Sequence, residues 1–553
     1  MKKRLAIIPL VMSTLVFVMS STAHANYCAA IRGNGELMPA HWGAMSSLVE
    51  EQGMPSAMAG GSSASITMFL LESISLNSQL QNNSEKALMI KSFQGYFETL
   101  SQTAEGKAIQ SILADKAALQ AIIASAGKID QALKNPEDAV LLGKHLGSLK
   151  ILMASKDLQE IINPEFVLYV QRASQLAEQN KPELAAALNY RSEQISMALK
   201  NFGNFNSETD KTLFFRPGLI SFEKLGRLFG KMANFYAGYN NASLVGKQIE
   251  QKVRQFLDHC TPGSQNLSWR ELNEQRPQCR QILGSAILMY RSAETSDGKI
   301  QNRIDEMIGS HIPSFATTSV ITGAAVKRYA TLFNAYQTNE DPNFGDQLLM
   351  SQDELRFGYW GQKKDLQNIE NIFSVKPEFK NDPKSQKFLS LGTSAWSQVL
   401  AMSPAEPGLS RIVTINQKQL SAGGWSDLHP TLILKAHGCE NIIYLTRKGG
   451  ESMFAQGVFK RLTNADGFNW NEWQGLSPEA KARKNAMGNA SDTQSTWSQL
   501  YNMANSQSSM FRSYSNATQI KCTDWDHFDV KKDLAGLVEE AMHAPLINPP
   551  DCR

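Results

Sequence analysis

The stretch from Ile31 to Leu71 (IRGNGELMPAHWGAMSSLVEEQGMPSAMAGGSSASITMFLL) constrains the fold more than any other part of the chain. It reads as a Gly-containing turn, a helix, a short strand, a tight Gly-Gly-Ser-Ser turn and a second, apolar helix. Ala59-Gly60-Gly61-Ser62-Ser63-Ala64 follows an apolar run and precedes an apolar helix, which is the context a nucleophile elbow needs. Glycines admit backbone that other residues avoid. A serine there stands at a helix N-terminus, where free N–H groups and the helix dipole favour negative charge. Two serines compete, since the frames are G-x-S-x-A through Ser62 and G-x-S-x-S through Ser63. With Ser62 as the elbow, Ile66 and Leu70 fall on one helix face, which favours Ser62 and leaves Ser63 as the alternate. The plain alternative is a Ser/Gly-rich turn ahead of a core helix.

These residues resemble the opening of the patatin-like phospholipase family. Gly33-Asn34-Gly35 resembles the family's oxyanion turn, Ala40-His41-Trp42-Gly43 the helix after it, Glu50 to Pro55 the helix exit, and Ala59-Gly60-Gly61-Ser62 the elbow. The turn lacks the family's third glycine and following basic residue, and Ala64 stands where the last elbow glycine belongs. A second block lies far along the chain. Ser421-Ala422-Gly423-Gly424-Trp425-Ser426-Asp427-Leu428-His429-Pro430 follows a β-like run, Arg411 to Ile415. A helix from Pro430 to His437, a Gly438 cap and a parallel-type strand over Ile442 to Leu445 come next. That order resembles the family's Asp-Gly-Gly block, and Ser403-Pro404-Ala405-Glu406-Pro407-Gly408 resembles the segment before it. Matching the glycines puts the family's aspartate on Ala422, which has no acid–base chemistry. The nearest carboxylate is Asp427, whose alternative role is to cap the following helix.

The resemblance implies an α/β fold, patatin-like, with a mainly parallel central sheet sandwiched by helices and a large α-helical insertion. Residues 26–75 and 311–545 would build the core and residues 76–310 the helical insertion or cap. It implies carboxylic ester hydrolysis through a Ser62–Asp427 dyad and an acyl-enzyme, with Gly33, Gly35 and Ser63 supplying oxyanion-hole N–H groups. The substrate would be a phospholipid or lysophospholipid met by peripheral membrane contact, with no nucleic acid, metal or cofactor. Two other readings stay open. One is a catalytically impaired patatin-fold protein that binds lipid or protein, as Ala422 and Ala64 suggest. The other is a serine esterase with His429 as base. His41 reads as a helix-face residue.

Composition narrows the class. Apolar residues make up 42% and charged residues 19% of 553, a globular balance. Lys2, Lys3 and Arg4 account for the whole formal net charge of +3, so the rest of the chain is neutral and no polyanion is indicated as partner. Residues 1–25 read as a cleaved signal peptide: basic start, apolar Leu5 to Met19, then Ala23-His24-Ala25. Export to the periplasm or beyond follows. The six cysteines all lie after that segment, which permits disulfides. Cys260 and Cys279, flanking a Pro-containing connection, are the first pair to expect. Helical spacing is expected over Ala108 to Leu133 and Pro182 to Leu199, a lid or core helix over Phe222 to Met232, a strand over Ser319 to Val326, and a buried aromatic cluster at Phe357 to Trp360.

Overall fold

The computed structural model describes residues 27–101, 221–239, 244–263, 267–297, 303–321, 355–405, 413–415, 418–423, 427, 429–447, 516–523 and 534–549. The expected signal peptide and the helices expected over 108–133 and 182–199 lie outside these residues.

Strand β1 (Cys28–Ile31) is followed by α1 (Pro39–Gln52), β2 (Ala57–Gly61), α2 (Ser63–Leu76), α3 (Asn83–Lys91) and α4 (Phe93–Ser101). After residue 220 come α5 (Phe222–Tyr236), α6 (Leu244–Cys260), α7 (Trp269–Gln275), α8 (Pro277–Asp297), β3 (Ser314–Ile321) and β4 (Leu355–Trp360). Then follow α9 (Lys363–Val375), α10 (Pro377–Lys380), α11 (Pro383–Lys387), β5 (Phe388–Gly392), α12 (Trp396–Met402), β6 (Val413–Ile415) and β7 (Lys418–Ser421). The described chain closes with α13 (Thr431–His437), β8 (Ile442–Arg447), β9 (Gln519–Thr523), α14 (Leu534–His543) and β10 (Leu546–Ile547). The strand begun at Ser314 starts five residues before the expected Ser319.

The strands form one sheet in the order β10-β9-β8-β1-β2-β3-β4-β5, with β7 also pairing β3 and β6 pairing β7. The run β9-β8-β1-β2-β3 is parallel throughout, and β4 pairs β5 in parallel. Antiparallel pairs occur at β3–β4, β3–β7, β6–β7 and β9–β10. The fold is therefore α/β with a mainly parallel sheet. Parallel strands need both faces covered, and their sequences should be small and apolar with no polar alternation. CAAI and AMAGG fit that requirement, and every residue of both strands is buried. Successive side chains go to opposite faces. Ala29, Ile31, Met58, Ile443 and Leu445 join the core under α1, α2, α5 and α14. Cys28, Ala30, Ala57, Ala59, Ile442 and Tyr444 join the core under α9 and α13.

The described helices between β2 and β3 share the first of these cores with α1 and α2. Trp42 of α1 stacks on Phe97 of α4 with centroids 5.7 Å apart, and Phe93 meets Tyr236 edge-on at 4.6 Å. On α5, Phe222, Phe229 and Met232 are buried and Leu225 and Leu228 pack against the same core. That is core packing, the plainer of the two sequence readings for this helix. The aromatic cluster of β4 is buried as well, with Phe357, Tyr359 and Trp360 nearly inaccessible.

Two disulfides staple the described parts. Cys260 pairs with Cys279, as expected from the sequence. Cys28 pairs with Cys439, which ties the start of β1 to the turn between α13 and β8. Cys522 is also disulfide-bonded. Among the described residues no cysteine is free, and no helix is long and apolar enough to cross a membrane.

Candidate functional site

The carboxyl ends of β1 and β2 lie side by side, since Ile31 pairs with Gly60. Sequence order departs in two directions from β1: β2 and β3 to one side, β8 and β9 to the other. Ligand crevices in open α/β sheets form outside strand carboxyl ends at such a reversal.

At the end of β2 the chain turns on one residue. Ser62 has φ 56° and ψ −131°, and it is the only non-glycine with positive φ among the described residues. Side chains avoid this region because Cβ meets the backbone, so the turn holds strain. The sequence reading gave the turn's freedom to Gly60 and Gly61. The structure corrects that assignment: both glycines are still in β2, and they are needed for closeness. A Cβ on Gly61 would stand 1.9 Å from Thr317 Oγ1, and one on Gly60 would stand 2.7 Å from the Ala64 methyl. The absence of a side chain at Gly60 is what accommodates Ala64. Helix α2 is buried on all sides from Ser63 to Ile74, beyond the single face that Ile66 and Leu70 suggested.

The second piece of the site is the turn after β1. Gly35 has φ 58°, and Asn34 is buried. The Asn34 N–H donates to Ser63 Oγ at 2.8 Å, and Asn34 Oδ1 accepts from Arg447 Nε at 3.3 Å. The turn is thus fastened to the first residue of α2 and the last residue of β8. Ser63 is 3% exposed and its hydroxyl is engaged, which favours Ser62 over Ser63 as the available hydroxyl. Among the described residues the N–H groups of Gly33, Gly35 and Ser63 make no hydrogen bond, and Ser62 Oγ makes none either. His41 is buried on α1, with Nδ1 3.0 Å from Thr67 Oγ1, and burial pushes its pKa down to about 3. It is a core residue of the helix face, not a proton acceptor at the surface of the site.

The third piece packs against the elbow from beyond β3. The Ser62 N–H donates to Ser403 Oγ at 3.0 Å, and Ser403 Oγ donates to the Thr317 carbonyl at 2.7 Å. The Gly423 N–H donates to the Ser403 carbonyl at 2.9 Å, and the Ala422 N–H to the Ala405 carbonyl at 3.1 Å. Ser319 Oγ donates to the Ala422 carbonyl at 2.6 Å. The Gly423 Cα comes within 3.3 Å of where a Gly61 Cβ would be. The backbone of Ala422 and Gly423 therefore packs next to the elbow strand, and the Ala422 methyl group is buried. Ser403, Thr317 and Ser319 went unnoticed in the sequence as tethers. Only the Ser403-Pro404 segment carried a signal, and it was one of order along the chain.

Asp427 is brought to the same region by its backbone and turned away by its side chain. Thr317 Oγ1 donates to its carbonyl at 3.4 Å. Its carboxylate is 0% exposed and accepts from Lys384 Nζ at 2.7 Å, from the His429 N–H at 3.2 Å and from the Tyr359 hydroxyl. Burial and the Asp427 charge push the Tyr359 pKa well up, so Tyr359 stays a phenol donor. The Ser62–Asp427 hydrogen bond expected from the sequence is not made: one carboxyl oxygen is paired with Lys384, itself 4% exposed, and the other accepts from Tyr359. Lys384 Nζ also donates to the His429 carbonyl at 2.9 Å, while His429 Nδ1 bonds the Tyr444 hydroxyl on β8. His429 thus belongs to the same anchoring network, and no hydrogen bond links it to Ser62 among the described residues. Lys384 and Tyr359 carry no sequence signal for this role, because they come from separate elements. Among the described residues no group of three His, Cys, Asp or Glu side chains could hold a metal ion.

The arrangement offers a strained, partly exposed serine, an unspent N–H on the next residue, two more in the turn fastened to Ser63, and a loop pinned by buried polar contacts. No protein-family model, no curated protein and no solved structure matches this chain.

Proposed function

We propose that the chain is a serine acyl hydrolase that cleaves carboxylic esters of phospholipid or lysophospholipid type, acting outside the cytoplasm after removal of residues 1–25. The observation that carries this reading is the backbone of Ser62 (φ 56°, ψ −131°) between a parallel strand and a helix. Strain of that kind persists only where the surroundings enforce it, and it aims one hydroxyl out of the elbow. Ser62 Oγ attacks the ester carbonyl and forms a tetrahedral oxyanion. The Ser63 N–H at the start of α2 and the N–H groups of Gly33 and Gly35 are the donors for that oxygen. Collapse breaks the ester C–O bond and leaves an acyl-serine, which water hydrolyses to the free acid. The leaving alcohol takes up a proton, and Ser62 gives one up. With the Asp427 carboxylate held by Lys384 and Tyr359, that proton passes through water. A missing general base typically costs about 100- to 10,000-fold, so slow turnover is the expectation. Disulfide-bonded cysteines and no free thiol among the described residues support an oxidising compartment.

A second reading is favoured by Ala422. With a methyl group beside the elbow, the same frame would bind acyl chains or a protein partner without turning over an ester. Fluorophosphonate labelling separates the two. The hydrolase reading expects stoichiometric labelling mapped to Ser62, abolished in Ser62→Ala, with measurable release of fatty acid from lysophospholipid. No labelling and no ester turnover by wild type would leave the binding reading.

A further inference from the structure

The Ser63 side chain, as distinct from its N–H, has no role in the mechanism above. Its hydroxyl is buried at the first turn of α2, does not cap that helix, and accepts a hydrogen bond from the backbone N–H of Asn34, 29 residues earlier. Asn34 is the middle residue of the Gly33-Asn34-Gly35 turn. Its carbonyl accepts from the Leu37 N–H at 3.0 Å and its side-chain oxygen from Arg447, so the residue is held at three points. The flanking amides of Gly33 and Gly35 are the ones left unspent. A backbone donor helps an oxyanion only if it is already in place when charge develops, since moving it then would cost reorganisation. Glycine on both sides makes this turn soft by composition, so something outside it must fix its distance from Ser62.

We propose that Ser63 is a positioning residue: its hydroxyl, through the Asn34 N–H, holds the Gly33–Gly35 turn against the elbow so that its amides reach the oxyanion formed at Ser62. The proposal rests on the acyl-hydrolase reading and adds a residue to it. Ser63 keeps its own backbone N–H as donor whatever its side chain, so removing the hydroxyl loosens donors without deleting one. The expected loss is smaller than the roughly 100- to 1000-fold seen when one donor is removed.

The test compares wild type, Ser63→Ala, Ser63→Thr and Ser62→Ala as full chains, with a p-nitrophenyl ester as substrate and a fluorophosphonate as label. Ser63→Ala should lower kcat by about 10- to 100-fold with KM within about twofold, because only transition-state contacts weaken. Ser63→Thr should recover most of that loss, and the label should stay on Ser62. Amide hydrogen exchange on unmutated protein is an independent readout: the Asn34 amide should exchange at least about tenfold more slowly than those of Gly33 and Gly35. Unchanged kcat in Ser63→Ala, or an Asn34 amide as fast as its neighbours, overturns this proposal and leaves the hydrolase reading standing. Label mapped to Ser63 overturns both the positioning role and the choice of Ser62. Wild type that neither turns over ester nor takes label removes the hydrolase reading, and the positioning role with it.

Discussion

Replacing Ser62 by glycine should stabilise the protein, although it removes the proposed nucleophile. Ser62 sits at φ 56°, ψ −131°, where a Cβ is crowded. Holding a non-glycine residue in such a region costs on the order of 1–3 kcal/mol. Glycine removes that strain but enlarges the unfolded ensemble, at a cost of about 0.5–1 kcal/mol. The proper reference is Ser62→Ala, which keeps the strained Cβ and drops only the hydroxyl. That hydroxyl makes no hydrogen bond among the described residues, so alanine should lie close to wild type. The Ser62 N–H to Ser403 bond survives in both variants. The difference between glycine and alanine should therefore be about 1 kcal/mol in favour of glycine, or a Tm rise of about 1 °C in a chain of this size. Paired calorimetric scans at one pH and one heating rate measure it. If Ser62→Gly melts at or below Ser62→Ala, the elbow is not strained and the reading of the turn as a nucleophile elbow loses its physical basis.

Other consequences concern the anchoring network, position 422, acid and the disulfides. Asp427→Ala leaves Lys384 buried without its carboxylate and should cost about 3–5 kcal/mol, while Asp427→Leu combined with Lys384→Met should recover much of it in a double-mutant cycle. If Asp427→Ala instead lowers ester turnover with no change in Tm, Asp427 acts on the proton of Ser62 after all. Ala422→Asp sets a carboxylate beside the elbow and should speed fluorophosphonate labelling of Ser62 by about tenfold or more near pH 8; no acceleration in a folded variant refutes the placement of Ala422 at the base position. Burial holds the folded-state pKa of His41 at about 3, below its usual 6.5. The unfolded chain therefore takes up a proton below pH 6.5 that the folded chain refuses, so this contribution is full above that pH and is lost as pH falls towards 3. The loss between pH 7 and 4 should be about 3 kcal/mol, and His41→Gln should flatten that limb of a pH–stability curve. Removing the Cys260–Cys279 bond, which closes a 19-residue span, should cost about 3 kcal/mol, read as the Tm difference between wild type and Cys260→Ser/Cys279→Ser.

Local pattern was enough for the elements around the site. Pro39 opening α1, the small residues of β1 and β2, Gly438 closing α13 in the left-handed region and the apolar run of β8 are each legible over a few neighbouring residues. So was Ser62, because strand, turn and helix periodicities change over at that point. The parallel pairing of β1 with both β2 and β8 follows the same logic, since CAAI and the run Ile442 to Leu445 are apolar on both faces.

What the sequence could not fix was the direction in which side chains brought together from far apart would turn. Asp427 lies in the right loop and its backbone reaches Thr317 next to the elbow, but a lysine 43 residues earlier and a tyrosine 68 residues earlier take its carboxylate. Inside a protein an unpaired charge is so costly that each buried group goes to whichever partner the fold supplies. That partner is decided by packing across strands and helices, not by spacing along the chain. The same holds for Ser63 with Asn34 and for Ser403 with Ser62, 341 residues apart. Local periodicity determined where the elbow serine stands; only the folded sheet decided which hydroxyl is spent, which amides are free and which carboxylate is held elsewhere.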